Sequence, residues 1–159
     1  MKWTIPCVLF VLAGCDVNVI DAAPVRNGDA PPSVTYLAAP NAESLDLPFS
    51  EAVRVGNTLY LSGELGREAG SLDVVPGGIG PETRQTLTNI RATLERHDAS
   101  MADVVKCTAF LADMSEWNEM NAVYREFFSA EALPARSALG ASGLALGARV
   151  EIECIAVVR

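Results

Sequence analysis

The stretch Val150-Glu151-Ile152-Glu153-Cys154-Ile155-Ala156-Val157-Val158 predicts a β-strand at the end of the chain. Side chains alternate between the two faces of a strand, so Glu151 and Glu153 share one face. A short distance upstream, Leu133-Pro134-Ala135-Arg136-Ser137 places a lone arginine in a second strand-like segment. Adjacent terminal segments therefore supply a fixed cation, Arg136, and a carboxylate, such as that of Glu151, that could act with it.

The pair Arg136 and Glu151 allows two interpretations. A guanidinium near a strand-rich core is costly unless it meets an anion. In the first interpretation, Arg136 grips the carboxylate of a small substrate in a bidentate fork, and Glu151 handles a proton or a water. In the second, the two residues form a structural ion pair on a sheet. On the residues alone, the two interpretations are about equally supported.

The rest of the chain predicts a small α+β domain. A helix opens near Pro81, and a second helix follows Ser115, the predicted N-cap. The predicted strands are, in chain order, 52–55, 58–62, a short strand near 72–75, 104–111, 135–138 and 150–158. The order β-β-(β)-α-β-α-β-β is typical of a sheet with its helices on one face. A six-stranded sheet with two helices leaves its other face uncovered, which favours oligomerisation.

Composition excludes several classes of function. The chain has 159 residues, with 20 acidic and 12 basic side chains and a net charge of -8. An acidic chain without a basic cluster is poorly suited to binding nucleic acid. The one histidine, His97, is interpreted as a surface residue at the end of the first helix, and its solitude argues against a Ser-His-Asp or Cys-His triad. No His/Cys spacing is typical of zinc, so no metal site is predicted.

The N-terminus has the pattern of an export signal. A positively charged start is followed by an uncharged run that ends at Gly14. The run is too short to span a bilayer, but its length fits a signal peptide over residues 1–14. Leu12-Ala13-Gly14-Cys15 resembles a bacterial lipobox, so Cys15 is the predicted lipidation site and membrane anchor. Residues 15–46, rich in Pro, Asn and Asp, predict a tether, and residues 47–159 the folded domain. The alternatives are a buried N-terminal strand or a misplaced start codon.

Two cysteines remain in the predicted domain, Cys107 and Cys154. An exported compartment permits a disulfide between them. The sequence does not show whether their Cα atoms are close enough, and buried free thiols are the favoured interpretation.

Several segments together resemble the RidA-like family of reactive imine and enamine deaminases. The resemblance runs from about Leu47 to Val158. It is carried, in order, by 55–63 (VGNTLYLSG), 77–79 with 85–90 (GGI and QTLTNI), 121–128 (NAVYREFF), 133–137 (LPARS) and 150–153 (VEIE). Each motif is modest alone, and their order and spacing make the resemblance specific.

The resemblance implies a chorismate-mutase-like α+β fold and a homotrimer whose sheets form a central barrel, with active sites between subunits. It implies hydrolysis of small 2-imino and 2-enamino acids to 2-oxo acids and ammonia, without metal or organic cofactor. Arg136 would bind the carboxylate and Glu151 would activate the water, with Ser62 and Asn121 at substrate-site positions and the backbone N–H of Ala138 as support.

Two residues depart from the family pattern. Phe49 stands where these deaminases typically have tyrosine, and Ala138 where they typically have cysteine. The leading hypothesis is an exported, membrane-tethered imine deaminase acting on a small carboxylate. The alternative is a protein that binds or senses small carboxylates without turnover. A third hypothesis is a membrane-anchored scaffold, for which the sequence gives no positive support. Loss of Arg136 would have favoured it, but Arg136 is present.

Overall fold

A computed structural model describes residues 30–40, 42, 46–68 and 70–159. The folded unit extends from Pro32 to Arg159. The predicted signal peptide, the lipidation site Cys15 and the first half of the predicted tether lie outside the described residues. Within the described part of the chain, neither helix combines the length and the apolar character needed to cross a bilayer.

The described residues form one seven-stranded sheet and two α-helices, which confirms the α+β class. The strands are β1 (Val34–Leu37), β2 (Ala52–Val55), β3 (Thr58–Leu61), β4 (Glu64–Leu65), β5 (Val104–Leu111), β6 (Ala135–Gly140) and β7 (Val150–Val157). The helices are α1 (Ile79–Arg96) and α2 (Trp117–Tyr124). The strand order is β1-β2-β3-β7-β5-β6, and β4 pairs with β7 beyond the end of β3.

The sheet begins earlier than the sequence predicts. Strand β1 lies within the predicted tether and pairs antiparallel with β2, so that Tyr36 lies opposite Val53 and Leu37 opposite Ala52. The predicted domain boundary at residue 47 and the six-strand count are therefore corrected. Flanking prolines hide this strand, because they break the sequence pattern on both sides of a four-residue run.

Both helices pack on one face of the sheet. Helix α1 buries an apolar stripe formed by Leu87, Ile90 and Leu94, spaced as one helix face requires. From the sheet, alternate residues of β7 such as Ile152 and Ala156 enter the same core. The opposite face, called here the open face, carries the other alternate residues and is largely uncovered, as predicted.

Cys107 and Cys154 form a disulfide between β5 and β7. The favoured interpretation as free thiols is therefore wrong. The two residues are direct register partners on antiparallel strands, with 4.1 Å between their Cα atoms. Sequence spacing cannot reveal this proximity, because it depends on the register of strands that are far apart in the chain.

Helix α2 also starts differently from its prediction. A turn of 3-10 helix at Met114–Glu116 precedes it, and the Asp113 carboxylate accepts a hydrogen bond from the backbone N–H of Ser115 at 2.8 Å. Asp113 thus caps this segment in place of Ser115. Further 3-10 turns lie at Met101–Asp103, Arg125–Phe127 and Ala145–Gly147.

Candidate functional site

The predicted site residues lie in two separate places on the chain. Phe49, Ser62 and Glu151 lie near the ends of β3 and β4, and we call this group the serine half-site. Arg136 and Ala138 lie on β6 opposite α2, which carries Asn121, and we call these three residues the arginine half-site. The geometry of each group follows.

Ser62 is fixed in the serine half-site by two hydrogen bonds. Its hydroxyl donates to the carbonyl oxygen of Ser50 at 2.7 Å, and its backbone N–H donates to the carbonyl of Glu51 at 3.0 Å. Because the hydroxyl proton is already engaged, the free lone pairs of Oγ point to an acceptor role. Ser62 is therefore suited to accept a hydrogen bond from an N–H or water of a ligand.

The Glu151 carboxylate lies directly against Gly63. A β-carbon at position 63 would stand 2.0 Å from Oε1 of Glu151 and 2.9 Å from its Cδ. Only glycine leaves room for the carboxylate there, so the contact joins Glu151 to the serine half-site. Partial burial, and secondly the charge of Glu153, raise the pKa of Glu151. A carboxyl group with a raised pKa is better matched to exchanging protons near neutral pH.

A cavity of about 220 Å³ adjoins Ser62 and Gly63. Phe49, half of whose surface is exposed, forms part of its wall. The lining residues are Ala39, Leu47, Phe49, Glu51, Ser62, Gly63, Glu64, Leu65, Arg67, Leu72, Ala145 and Leu146. Apolar side chains therefore dominate a pocket that has a few polar groups, the pattern common to small-molecule sites.

A polar cluster around the buried carboxylate of Glu51 lies next to Ser62, whose backbone N–H donates to the Glu51 carbonyl. The Glu51 side chain is only 6% exposed, and its carboxylate contacts Nη2 of Arg96 at 2.6 Å and Nε2 of His97 at 2.7 Å. His97 is thus an internal partner of Glu51, which corrects its interpretation as a surface residue. This cluster was not predicted, because its members lie just before β2 and at the C-terminal end of α1, more than 40 positions apart.

In the arginine half-site, the guanidinium of Arg136 lies on aromatic rings. Its Cζ is 4.5 Å from the ring centroid of Tyr124 and 5.8 Å from that of Trp117. Among the described residues, Arg136 makes no ion pair and no side-chain hydrogen bond. Aromatic faces attract the cation without using its N–H groups, so the fork of donors remains available for a carboxylate.

Tyr124 brings a second polar group to the arginine half-site. Its hydroxyl is buried and has no hydrogen-bond partner among the described residues. Burial raises the pKa of Tyr124 to about 12, although the positive charge of Arg136 acts in the opposite direction. The phenol therefore stays protonated and can donate a hydrogen bond.

Asn121 and Ala138 complete the arginine half-site. Asn121 is half-buried and lies on the same face of α2 as Trp117 and Tyr124, since positions i, i+4 and i+7 align on a helix. Ala138 follows Arg136 by two residues and shares its face of β6. In the sequence, the aromatic residues of α2 have the pattern of a core stripe, and the asparagine within that stripe is the feature that suggests a ligand contact.

One copy of the chain does not bring Arg136 and Glu151 together. On β5, Cys107 is the register partner of Arg136, whereas Phe110 is that of Glu151. The three-residue offset places the two side chains on opposite faces of the sheet. They are about 10 Å apart along the strands and about 10 Å across them. The predicted pairing of these two residues is therefore not met within a single chain.

No group of His, Cys, Asp and Glu side chains within the described ranges could hold a metal ion.

Comparison with known proteins places the chain among these relatives. The family model described as endoribonuclease L-PSP matches residues 39–158. A 2-iminobutanoate/2-iminopropanoate deaminase of Bos taurus is 44% identical over 110 residues, which are 69% of this chain and 80% of the relative. The protein of the same name from Dermatophagoides farinae is 43% identical over 70% of this chain and 86% of its own length.

Solved structures give the same result for the fold. Yeast Mmf1 superposes with a TM-score of 0.69 at 34% identity, covering 82% of this chain and 98% of Mmf1. RidA from an Antarctic Psychrobacter bacterium superposes with a TM-score of 0.66 at 36% identity, covering 70% of this chain and 89% of that RidA.

Proposed function

This chain belongs to the endoribonuclease L-PSP family, and we propose that it hydrolyses small 2-imino and 2-enamino acids to 2-oxo acids and ammonia. The predicted resemblance to RidA-like deaminases is confirmed at the level of the family, and the chain is similar to enzymes of that activity. The observation that carries the proposal is the guanidinium of Arg136, which lies on aromatic rings and keeps its N–H groups available to a ligand.

Substrate binding follows from that geometry. The planar guanidinium matches a carboxylate in a two-point, charge-assisted fork, which fixes the orientation of the substrate as well as its position. The Tyr124 hydroxyl supplies a further donor on that side of the sheet, and the backbone N–H of Ala138, on the edge strand β6, can supply another. Fixing the carboxylate places the neighbouring C2 atom, the electrophilic carbon of an imine, at a defined distance from a water.

Glu151 supplies the proton transfers. The carboxylate accepts a proton from water as the water oxygen bonds to C2 and the C=N electron pair moves to nitrogen, and the carboxyl group passes that proton to nitrogen to give the neutral carbinolamine. The carboxylate then takes the hydroxyl proton as the C=O bond forms and the C–N bond breaks, and it returns this second proton to the leaving nitrogen, which departs as ammonia. The raised pKa of Glu151 suits both directions of transfer. No nucleophilic side chain is required.

A homotrimer would join the two half-sites. The arginine half-site lies on β6, an edge strand, and the serine half-site lies beyond β7 toward the other edge. In a cyclic assembly one interface is repeated, so the arginine half-site of one copy can face the serine half-site of the next. Exposed apolar residues on the open face, such as Tyr36, Tyr60 and Leu139, support burial of that face in the assembly.

The two departures from the family pattern shape this site. Phe49 contributes ring surface to the cavity beside Ser62 but no hydroxyl. Ala138 contributes its backbone and a methyl group packed on the core. Neither change removes the guanidinium or the carboxylate that the reaction uses.

We further propose that the protein acts outside the cytoplasm, tethered to a membrane through a lipid on Cys15. The sequence pattern of residues 1–15 carries this proposal. The disulfide between Cys107 and Cys154 supports it, since disulfides persist in oxidising compartments. A Cys15→Ser variant would lose membrane association in fractionated cells, and a variant that stays membrane-bound and is processed like wild type would contradict the lipid anchor.

The family description names an endoribonuclease, an activity that the charge of this chain disfavours. A net charge of -8 repels the phosphate backbone, and the sequence has no basic cluster to overcome the repulsion. The half-sites hold one free cation suited to a single carboxylate, which favours a small acid as the substrate.

Turnover of 2-iminopropanoate tests the proposal. A dehydratase generates the imine from serine beside the full chain, and semicarbazide traps whatever remains. Wild type should accelerate imine loss, and Arg136→Ala should lower kcat/KM by about 100-fold or more, because two charge-assisted hydrogen bonds are lost. Arg125→Ala, an exposed arginine just beyond α2, is the matched control.

Two results would contradict the proposal. Equal activity of Arg136→Ala and wild type would remove Arg136 from the site. A folded wild type that gives no acceleration would favour the alternative of carboxylate binding without turnover. Calorimetric titration with 2-oxo acids then tests that alternative directly.

A further inference from the structure

We propose that the cavity beside Ser62 receives the side chain of the substrate and selects 2-imino acids with a bulky apolar side chain over 2-iminopropanoate. The inference rests on the proposed function, because it concerns the same site. It concerns the specificity of this chain, and the family assignment does not decide it.

The position of the cavity decides which part of the substrate enters it. The cavity begins at Ser62 and Gly63, and the Glu151 carboxylate lies against Gly63. When Glu151 directs water at C2, the substituents of C2 lie next to this opening. The carboxylate of the substrate is directed to Arg136 and the imine nitrogen to the carboxyl group of Glu151 that protonates it. The side chain is then the substituent left to occupy the cavity.

The walls of the cavity are suited to hydrocarbon. The cavity is lined by five large apolar side chains, those of Leu47, Phe49, Leu65, Leu72 and Leu146. Two of the three charged lining residues are engaged elsewhere, since Glu51 is paired with Arg96 and Arg67 donates to the carbonyl oxygen of Ser71. The third is Glu64, whose pKa is raised mainly by burial, which favours the neutral form of its carboxyl group. Apolar side chains therefore make up most of the wall that a substrate side chain would meet.

Three of these apolar residues are poorly covered by the chain itself. Phe49 and Leu72 are each 54% exposed, and Leu146 is 48% exposed, although all three surround one cavity. Exposed apolar surface gathered at one concave site is a recurrent mark of ligand binding. An apolar ligand would remove this surface from water, with a gain in free energy in proportion to the area covered.

The backbone conformation of Leu146 independently supports a functional role for the cavity. Leu146 has φ 58° and ψ 17°, in the left-handed region that a leucine rarely adopts. Burial of its side chain does not offset that conformational cost, because half of the side chain is exposed. A strained residue kept at the rim of a cavity points to a role in the function of that cavity.

The size of the cavity sets the size of the side chain. An engineered apolar cavity of about 150 Å³ is enough to bind benzene. The cavity here measures about 220 Å³, so it has room for a branched or aromatic side chain. The methyl group of 2-iminopropanoate would leave most of the space to water. Each methylene newly buried improves binding by about fourfold, so an isobutyl group should be favoured over methyl by at least about tenfold.

Binding of stable 2-oxo acids tests the inference without requiring turnover. Calorimetric titration of the full chain should show 4-methyl-2-oxopentanoate binding at least about tenfold more tightly than pyruvate. The double variant Leu72→Ala/Leu146→Ala should lower this ratio of dissociation constants several-fold. Leu133→Ala, an exposed leucine outside the cavity, is the matched control and should keep the ratio.

Turnover gives the second readout. An L-amino acid oxidase passes two electrons from leucine or alanine to oxygen and so forms the corresponding imine, and catalase removes the peroxide. Wild type should show a higher kcat/KM for the leucine-derived imine, and the double variant should show a smaller ratio of the two values.

The outcomes separate this inference from the proposed function. A ratio of dissociation constants near one, or a ratio that the double variant leaves intact, overturns the side-chain assignment; a neighbouring copy covering the cavity would produce that result. If neither imine is turned over while the binding ratio is at least tenfold, the proposed hydrolysis fails and the assignment of the cavity stands.

Discussion

The two half-sites hold opposite charges by different physical means. At the arginine half-site, packing positions the cation: Arg136 lies on the rings of Tyr124 and Trp117, and its donors stay free. At the serine half-site, the carboxylate of Glu151 lies in a space that Gly63 leaves open, and hydrogen bonds fix the neighbouring Ser62. The first arrangement preserves a fixed charge, and the second tunes a group that exchanges protons.

This difference predicts that one half-site binds the substrate and the other transfers protons. A guanidinium cannot act as an acid or base near neutral pH, so the arginine half-site contributes binding and orientation. A partly buried carboxyl with a raised pKa can take and return a proton, so the serine half-site contributes chemistry. Changes at the first should alter mainly KM, and changes at the second mainly kcat.

The largest effect is expected from Glu151→Gln. The amide keeps the shape of the side chain but cannot accept the proton of the attacking water, so kcat should fall by about 1,000-fold while KM changes little. Steady-state kinetics on 2-iminopropanoate measure both constants. A fall confined to KM would place Glu151 in binding and break the division between the half-sites.

Gly63→Ala should have the next largest effect. The added methyl group would lie 2.0 Å from Oε1 of Glu151, so the carboxylate must move. A displacement of this size at a reacting group lowers kcat by about 100-fold. The control is Gly140→Ala, where the new β-carbon would meet only the flexible side chain of Met114 at 3.0 Å. Wild-type kcat in Gly63→Ala would show that Glu151 does not act from this position.

Tyr124 tests how Arg136 is positioned. Tyr124→Leu removes the ring beneath the guanidinium and should raise KM by about tenfold, the value of one partly buried cation–π contact. Tyr124→Phe keeps the ring, so its KM should rise much less. Equal KM values for the two variants would mean that the ring does not position Arg136.

The smallest effect concerns pH. Deprotonated Glu151 is the base, so kcat should increase as pH rises through its elevated pKa. The negative charge of Glu153 is the second cause of that elevation. Glu153→Gln should therefore move the acid limb of the kcat profile to lower pH, by about a few tenths of a unit for an exposed pair. Glu131→Gln is a distant control, and a shift to higher pH in Glu153→Gln would contradict this explanation.

Local pattern was enough to predict much of the sheet. Strands β5 and β2 have their predicted bounds, 104–111 and 52–55, and Gly56-Asn57 forms the turn from β2 to β3. These features depend on alternation and turn chemistry within a few residues. Strand β1 was missed for the same reason, because its four residues are isolated between prolines and show their role only when paired with β2.

The sequence was enough to predict which residues belong to the candidate site, but it did not predict which of them are in contact. The sequence nominates Arg136 and Glu151, but it does not show that three register positions and opposite faces separate them. The ring of Tyr124 under Arg136, the carboxylate of Glu151 on Gly63 and the Cys107–Cys154 disulfide are also contacts between distant segments. Packing and strand register determine such contacts, and neither is readable from one segment alone.

Complementation between two inactive variants tests most directly whether one active site takes its halves from two copies. Arg136→Ala and Glu151→Gln are each purified as inactive homo-oligomers, then unfolded, mixed in equal amounts and refolded together. If each site pairs the arginine half-site of one copy with the serine half-site of another, each mixed trimer regains both groups at one of its three sites, which is about a quarter of all sites in the refolded sample. The refolded mixture should therefore recover about a quarter of wild-type imine hydrolysis. Mixed oligomers that form but remain as inactive as either parent would contradict it.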